Sequence, residues 1–306
     1  MFKIGSILLL GITIRLFGMA IMSLGEWDER FHALVAKNLM STPLIPTLIN
    51  DGLMPLNPND WSMNEIWLSK PPLAFWFMSW SMKIFGVNEW GLRLPSLIFS
   101  TLSVYLTYWI GNKLFDERVG LIAAFLYSIS GIMYQINIGN LAGDHVDTLF
   151  HLLFQLAIVV LLSYNKKPSL TSGAMIGVLT GFAFLTKWTM AFFIPTVCLC
   201  YFTYTTRNVK DTLIYLISLV VSMVLVISPW MMWIVSKFPT ETMDMMNGII
   251  RPMNQVVQLH SGLWYYYLNT MRININELIY IPLVFIIVKS FRRLTDARFL
   301  LVVWIF

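Results

Sequence analysis

The sequence predicts an all-α, polytopic transmembrane helical bundle, and three observations predict it. Of 306 residues, 57% are hydrophobic and only 12% charged, whereas a soluble domain carries about one quarter charged residues. The apolar residues gather in runs of roughly 16 to 25, the length needed to cross a bilayer. Basic residues concentrate in every second connection between those runs, as the positive-inside rule requires. A transmembrane barrel would instead alternate apolar and polar residues in segments of about ten, and no such alternation is present. The composition excludes a soluble globular domain. It also makes the net charge of +5 a matter of topology rather than a nucleic-acid footprint, so no nucleic-acid partner is expected.

In chain order, residues 4–24 follow Lys3 and lack a small-residue cleavage site, so they read as an uncleaved first span with the N-terminus inside. The polar stretch 25–70, with Pro43, Pro46, Pro55 and Pro58, opens a large extracytoplasmic loop over 25–91 that holds a helix near 26–40. Residues 71–86 (PPLAFWFMSWSMKIFG) are apolar and aromatic but too short to cross, and they carry Lys83; they read as an interfacial helix on the membrane. Further spans are expected near 92–112, 119–139, 147–164, 171–186, 189–206, 211–235 and 274–289, with a last extracytoplasmic loop over 236–273. These eight spans, and the start of a ninth at 299–306 (FLLVVWIF), form one transmembrane domain over 1–306 whose abrupt apolar end points to a missing C-terminal part.

Charge tests this parity. Lys3, Lys113, Arg118, Lys166, Lys167, Arg207, Lys210, Lys289, Arg292, Arg293 and Arg298, eleven of the 21 basic residues, all fall inside. Counting 71–86 as a span would move Lys166, Lys167, Arg292 and Arg293 outside, so the charge pattern rejects it. Gly173, Gly177 and Gly181 recur every four residues on one face of the fifth span, a helix-packing signal. Cys198 and Cys200 lie two apart and so face different sides of one helix; they read as buried thiols rather than a disulfide or a metal cluster.

The polar residues hardest to explain as solubility devices collect on the outer side. One cluster is Trp27-Asp28-Glu29-Arg30-Phe31-His32, just after the first span. A second is Asp144-His145-Val146-Asp147 followed by His151, in which Asp144, Asp147 and His151 share one helix stripe. Asp at a helix start is favoured by the dipole alone, but His151 then points into the bilayer and needs a partner. Lys70, Arg93, Lys187, Arg251 and Arg272 lie on the same side. Lys187 sits in a tight connection, Leu185-Thr186-Lys187-Trp188, where a charge needs an anion or carboxylate. Arg15, in mid-span of the first helix, needs an internal partner. Carboxylates able to act as a base or bind a metal thus lie beside cations suited to a phosphate. No Walker-type loop, dinucleotide glycine fingerprint or His-Glu-x-x-His motif occurs, which argues against a nucleotide.

These motifs resemble a known family. The run Trp27-Asp28-Glu29-Arg30-Phe31-His32-Ala33, then Lys70-Pro71-Pro72-Leu73-x-x-Trp76, Phe85-Gly86-Val87-Asn88-Glu89 and Arg93-Leu94-Pro95-Ser96 is similar to the GT-C membrane glycosyltransferases of the family 39, ArnT-like (protein O-mannosyltransferase-like) group. Gly181-Phe182-Ala183-Phe184-Leu185-Thr186-Lys187, Ser228-Pro229-Trp230, and His260 followed by Trp264-Tyr265-Tyr266 continue the likeness in the same order, over about residues 25 to 270. The resemblance implies a GT-C helical bundle with juxtamembrane helices in its first outer loop. It also implies a hexosyl- or pentosyltransferase in a bacterial plasma membrane. Such an enzyme moves a sugar, with inversion, from a polyprenyl-phosphate donor to a lipid, protein or glycan acceptor at the extracytoplasmic face.

Carried over by position, Asp28 matches the family's base or acceptor-positioning carboxylate, with Glu29 beside it, and Lys70 matches the lysine that contacts the donor phosphate. Arg93, Lys187 and Arg251 are further donor-phosphate candidates. The second acidic position is Asp147 by its spacing to the next apolar run, or Asp144 by the local Gly143-Asp144 pattern, and both stay open. His260 matches a possible ligand of a divalent metal, with His32 and His145 as alternatives. Ser69 stands where many ArnT-like members carry an acidic residue before the lysine, which weakens a metal site built there and leaves metal dependence open. A transporter or lipid-linked sugar flippase is the competing class, but it would show midplane charges and an inverted repeat. Only Arg15 and His151 qualify as such charges, and no repeat is seen. A scaffold without chemistry would leave the ordered outer motifs unexplained.

Overall fold

The computed structural model describes residues 3–26, 28–50, 64–140, 145–164, 168–205 and 208–256, with positions 262, 265–266, 269–270, 280–281, 284 and 288. Within them the chain forms α1 (Ile4–Ile21), α2 (Asp28–Asn38), α3 (Leu73–Phe85), α4 (Glu89–Leu114), α5 (Glu117–Ser128) and α6 (Gly131–Asn137). After these come α7 (His145–Ser163), α8 (Leu170–Lys187), a 3-10 turn (Trp188–Phe192), α9 (Phe193–Thr205), α10 (Val209–Lys237) and α11 (Pro239–Asn254). Side-chain caps fix several starts: Asn88 accepts from Gly91 N–H, Asp116 from Val119 N–H, and Ser169 with Ser172 forms a reciprocal box. The all-α bundle expected from the sequence is the observed architecture.

Among the described residues, Ile4–Ile21, Glu89–Leu114, His145–Ser163, Leu170–Phe202 and Val209–Lys237 are long and apolar enough to cross a membrane. The run read as one span over 119–139 is instead two helices, α5 and α6, bent by 51°. The break falls at Ile129 and Ser130, where Ser130 leaves helical geometry (ψ 119°). Arg15 supplies the physical reason the break is tolerated: its Nη1 donates to the carbonyls of Gly11 and Ser128, both at 3.0 Å. Ser128 is the last residue of α5, so a cation meets a carbonyl that the interrupted helix has left over. Arg15 is 1% exposed, and the internal partner its mid-span position called for is this helix end. His151, the other midplane charge, stacks on Tyr127 with ring centroids 5.4 Å apart.

Contacts set the helix directions. Near one end, Arg93 at the start of α4 reaches the carbonyls of Met22 and Ser23 just after α1, and Ser96 meets His145 at the start of α7. Farther along, Thr107 meets Gln155, so α4 and α7 run parallel. The α8 glycines lie in van der Waals contact with α10, Gly173 against Tyr215 and Ser218, Gly177 against Leu219 and Ser222, and Gly181 against Val226. That order makes α8 and α10 parallel, so α9 must fold back between them. It does: Phe202 packs on Tyr215 with centroids 4.8 Å apart, level with the beginning of α8. Within Leu170–Phe202 the chain thus doubles back, with the end of α9 returning toward the start of α8. Cys198 is buried but Cys200 is exposed, a correction to the expectation of two buried thiols, and no disulfide joins them.

The helix α3 is 13 residues long, about 20 Å, and so falls short of a crossing, in keeping with its reading as an interfacial segment. Ala74, Phe75, Met78 and Met82 face the core while Trp80, Ile84 and Phe85 are exposed. The expected helix near 26–40 is α2. Between α2 and α3 the loop doubles back through an antiparallel bridge at Thr47 and Ile66, flanked by Leu48 N–H to Glu65 O and Trp67 N–H to Pro46 O, both 2.8 Å. Three indoles then fasten loop carbonyls: Trp76 to Pro43 (2.7 Å), Trp233 to Leu44 (3.0 Å) and Trp188 to Ser69 (3.0 Å). Trp76 also meets Trp230 edge to face at 5.7 Å. This doubling back brings Lys70 to the start of α2. The expected span 274–289 lies almost wholly outside the described residues.

Candidate active site

Four short segments meet at the end of the bundle where α1, α6, α8 and α10 finish and α4, α7 and α9 begin. The start of α2 carries Asp28 and Glu29, the loop before α3 carries Ser69 and Lys70, the start of α7 carries His145 and Asp147, and the α8 end carries Lys187 and Trp188. They close into a ring. Lys70 Nζ contacts Asp28 Oδ2 at 3.1 Å; Glu29 Oε1 contacts His145 Nε2 at 2.8 Å. Asp147 Oδ1 pairs with Lys187 Nζ, and Trp188 Nε1 donates to Ser69 O at 3.0 Å. Each link joins residues within two positions of the next link, so no segment can shift without disturbing the others.

Burial divides the ring into two kinds of ion pair. Glu29 and Arg93 are 1% and 0% exposed in their side chains. Arg93 Nε and Nη2 grip the two carboxylate oxygens at 2.7 and 2.9 Å, while its Nη1 and Nη2 also reach Met22 O and Ser23 O at 2.6 and 2.8 Å. Burial by itself would raise the Glu29 carboxyl. The hydrogen bonds from His145, Arg93 and the Gly25 N–H outweigh it and hold the group down to about 2. With Nε2–H directed at Glu29, His145 Nδ1 accepts from the Ser96 hydroxyl at 3.1 Å, and Ser96 in turn accepts from Thr148 at 3.2 Å.

This network corrects three expectations. Arg93 is enclosed with its guanidinium committed to Glu29 and two carbonyls, so it braces the site instead of offering itself to a phosphate. Glu29 has no open side from which to act as a base. His145 has both ring nitrogens engaged and cannot also ligate a metal. His32 is likewise 0% exposed, its ring packed between Trp67 (5.6 Å) and Phe75 (5.0 Å). Among the described residues no group of three or more His, Cys, Asp or Glu could hold a metal ion. The described side chains therefore do not fit a divalent metal. Asp144 and His260 lie outside the described residues, and Arg251 is exposed in the last turn of α11.

The other two pairs are open. Lys70 and Asp28 are 25% and 29% exposed, Lys187 and Asp147 are 39% and 23% exposed. Two carboxylates and two ammonium groups are thus partly accessible beside an enclosed pair. Such an arrangement can hold an anion on the lysines and take a proton on a carboxylate. Sequence reasoning singled out all four, and it missed the organisation around the enclosed pair. Ser96 stands three residues after Arg93, one helical turn, which is the signal that could have joined them. Trp188 as the pin on Ser69 carried no such signal, because its partner is a backbone carbonyl 119 positions away.

The chain is similar to several known proteins. An undecaprenyl phosphate-alpha-4-amino-4-deoxy-L-arabinose arabinosyl transferase from Yersinia pestis (strain Pestoides F) is 26% identical over 221 residues, 69% of this chain and 39% of that protein. Its namesake from Pseudomonas aeruginosa (strain LESB58) is 27% identical over 169 residues, 54% of this chain and 30% of that one. Among solved structures, ArnT from Cupriavidus metallidurans bound to undecaprenyl phosphate superposes with a TM-score of 0.70 at 17% identity, covering 97% of this chain and 53% of that one. The oligosaccharyltransferase AglB from Archaeoglobus fulgidus, in complex with an inhibitory peptide and a dolichol-phosphate, gives 0.61 at 14%, covering 98% and 46%. These likenesses show a shared fold, and the chain spans about 30 to 53% of the length of these relatives. Residues 69–233 match the family model described as dolichyl-phosphate-mannose-protein mannosyltransferase. That stretch is more than half of the chain and contains Lys70, Arg93, Asp147 and Lys187, and by it the chain belongs to the dolichyl-phosphate-mannose-protein mannosyltransferase family.

Proposed function

We propose that this chain is the catalytic membrane part of an inverting glycosyltransferase that takes a sugar from a polyprenyl-phosphate donor and passes it to a hydroxyl or phosphate oxygen of a lipid, protein or glycan. The observation that carries this is the ring's pair of accessible carboxylate–ammonium couples, Asp28 with Lys70 and Asp147 with Lys187. The named substrates of the relatives support it, since the arabinosyl transferases use undecaprenyl phosphate sugars and AglB holds a dolichol-phosphate.

In the proposed reaction the acceptor oxygen attacks the anomeric carbon opposite the phosphate. The bond between that carbon and the phosphate oxygen breaks, and the polyprenyl phosphate leaves with the electron pair. The acceptor's proton passes to Asp28 or Asp147. A phosphate is already a good leaving group, so the lysines need only hold its charge, and no step requires a metal. The site faces the extracytoplasmic side of a bacterial plasma membrane. Support for that orientation comes from Lys3, Lys113, Arg118 and Lys210, which lie at the opposite end of the bundle.

Asp28→Asn and Lys70→Ala are each expected to lower transfer from a polyprenyl-phosphate sugar about 100-fold or more in isolated membranes while expression persists. Full activity in both variants would overturn the assignment. Mass spectrometry of cells lacking the protein is expected to show an accumulated polyprenyl-phosphate sugar, which identifies the donor.

A further inference from the structure

The two accessible ion pairs pose a chemical conflict. Each ammonium proposed to hold the donor phosphate is already held by a carboxylate proposed to receive the acceptor's proton. A carboxylate paired with an ammonium is a weaker base toward the acceptor's O–H, and an ammonium paired with a carboxylate offers less charge to a phosphate. Resting on the glycosyltransferase reading above, we propose that donor binding is a partner exchange: the donor phosphate takes Lys70 and Lys187 from Asp28 and Asp147, and the carboxylates so released then accept the acceptor hydroxyl. The donor would thereby unmask the base, and the acceptor would be activated only after the donor is seated.

Magnitudes favour exchange at these pairs and forbid it at the third. Solvent-exposed pairs are worth roughly 0 to 1 kcal/mol, little enough for an incoming phosphate to replace. The Glu29–Arg93 pair is fully enclosed, and removing one of its partners would leave an uncompensated buried charge. It therefore stays fixed while its neighbours change partners. The geometry supplies the hinge for this. Asp28 directly precedes the fixed Glu29 in sequence, and Asp147 is two residues from the fixed His145, so both carboxylates remain in place when the lysines move. The segments that carry Lys70 and Lys187 are joined by the hydrogen bond from Trp188 to Ser69 O.

The exchange makes a prediction opposite in sign to a mere positioning role. Carboxylates that compete with phosphate weaken its binding, so their removal tightens it; carboxylates that only orient the lysines strengthen it, so their removal weakens it. The test is the affinity of undecaprenyl phosphate for the whole chain in lipid nanodiscs, compared among the unaltered protein, Asp28→Asn, Asp147→Asn and Lys70→Ala. The expected result is binding about two- to fivefold tighter for either Asn variant, from the worth of an exposed pair, together with loss of transfer. Lys70→Ala is expected to bind more weakly. Equal or weaker binding by both Asn variants, with the unaltered protein binding normally, would overturn the exchange while leaving the function standing. No binding by the unaltered protein would overturn the function itself, and the exchange with it. If one variant proves unstable in a thermal melt, the other decides the matter, because each carboxylate faces its own lysine.

Discussion

Asp28 and Glu29 are neighbours in sequence with unlike surroundings: Asp28 shares a quarter-exposed ion pair with Lys70, while Glu29 takes hydrogen bonds from Arg93, His145 and the Gly25 N–H in a sealed space. The difference predicts different losses. Glu29→Gln strips the charge that offsets a buried guanidinium and is expected to cost about 3 to 5 kcal/mol, read as a lower melting temperature of the protein in micelles. Arg93→Lys should cost a similar amount, because an ammonium cannot grip two carboxylate oxygens and two carbonyls together. The Glu29 carboxyl lies below its ordinary 4.5, at about 2, so it adds stability at every pH above 4.5. That contribution, about 3 kcal/mol, is lost as pH falls from 4.5 to 2. A stability profile across that window is expected to slope downward for the unaltered protein and to flatten in Glu29→Gln. The motif Asp28-Glu29 was legible as a site. Which of its two carboxylates is open was not, because that depends on Arg93, 64 residues further along.

At the scale of elements, the close approach of α8 to α10 is the packing feature most exposed to substitution. A side chain at Gly177 would collide with the Leu219 carbonyl and the Ser222 hydroxyl. Gly177→Leu is expected to destabilise by about 1 to 3 kcal/mol or more, whereas Gly5→Ala, with nothing near its Cβ, should change the melting temperature little. The spacing of the α8 glycines is enough to mark a packing face. Its partner could not be read, because a helix surface does not say which neighbour it meets. The bend between α5 and α6 was hidden for a different reason. Hydropathy over 119–139 is continuous, and it does not register the backbone turn at Ser130 or the Arg15 guanidinium that steadies it. The indole pins on Pro43, Leu44 and Ser69 were equally silent, since a tryptophan in an apolar run looks like any interfacial aromatic.

For the whole molecule, the expected alternation of basic and acidic ends follows from counting passes, and the end of α9 meets the first part of α10 at Phe202 and Tyr215. The proposed sidedness can be checked with single cysteines in a Cys198→Ala, Cys200→Ala background. Val87→Cys, exposed between α3 and α4, is expected to react with an impermeant maleimide in intact cells. Glu117→Cys, exposed at the start of α5, should react only after permeabilisation; the reverse pattern would invert the orientation. The ring also has a consequence for synthesis. Its links join positions 28, 70, 147 and 187, so contacts distant in sequence must wait for chain that has not yet left the ribosome. A nascent chain made as far as α7 already carries both members of the Glu29–Arg93 pair, but Asp147 still lacks its lysine. The last turn to arrive, Lys187-Trp188, supplies both the missing counter-charge and the pin on Ser69. Synthesis thus delivers every group of the Asp28–Lys70 and Glu29–Arg93 pairs before the Asp147–Lys187 pair can close.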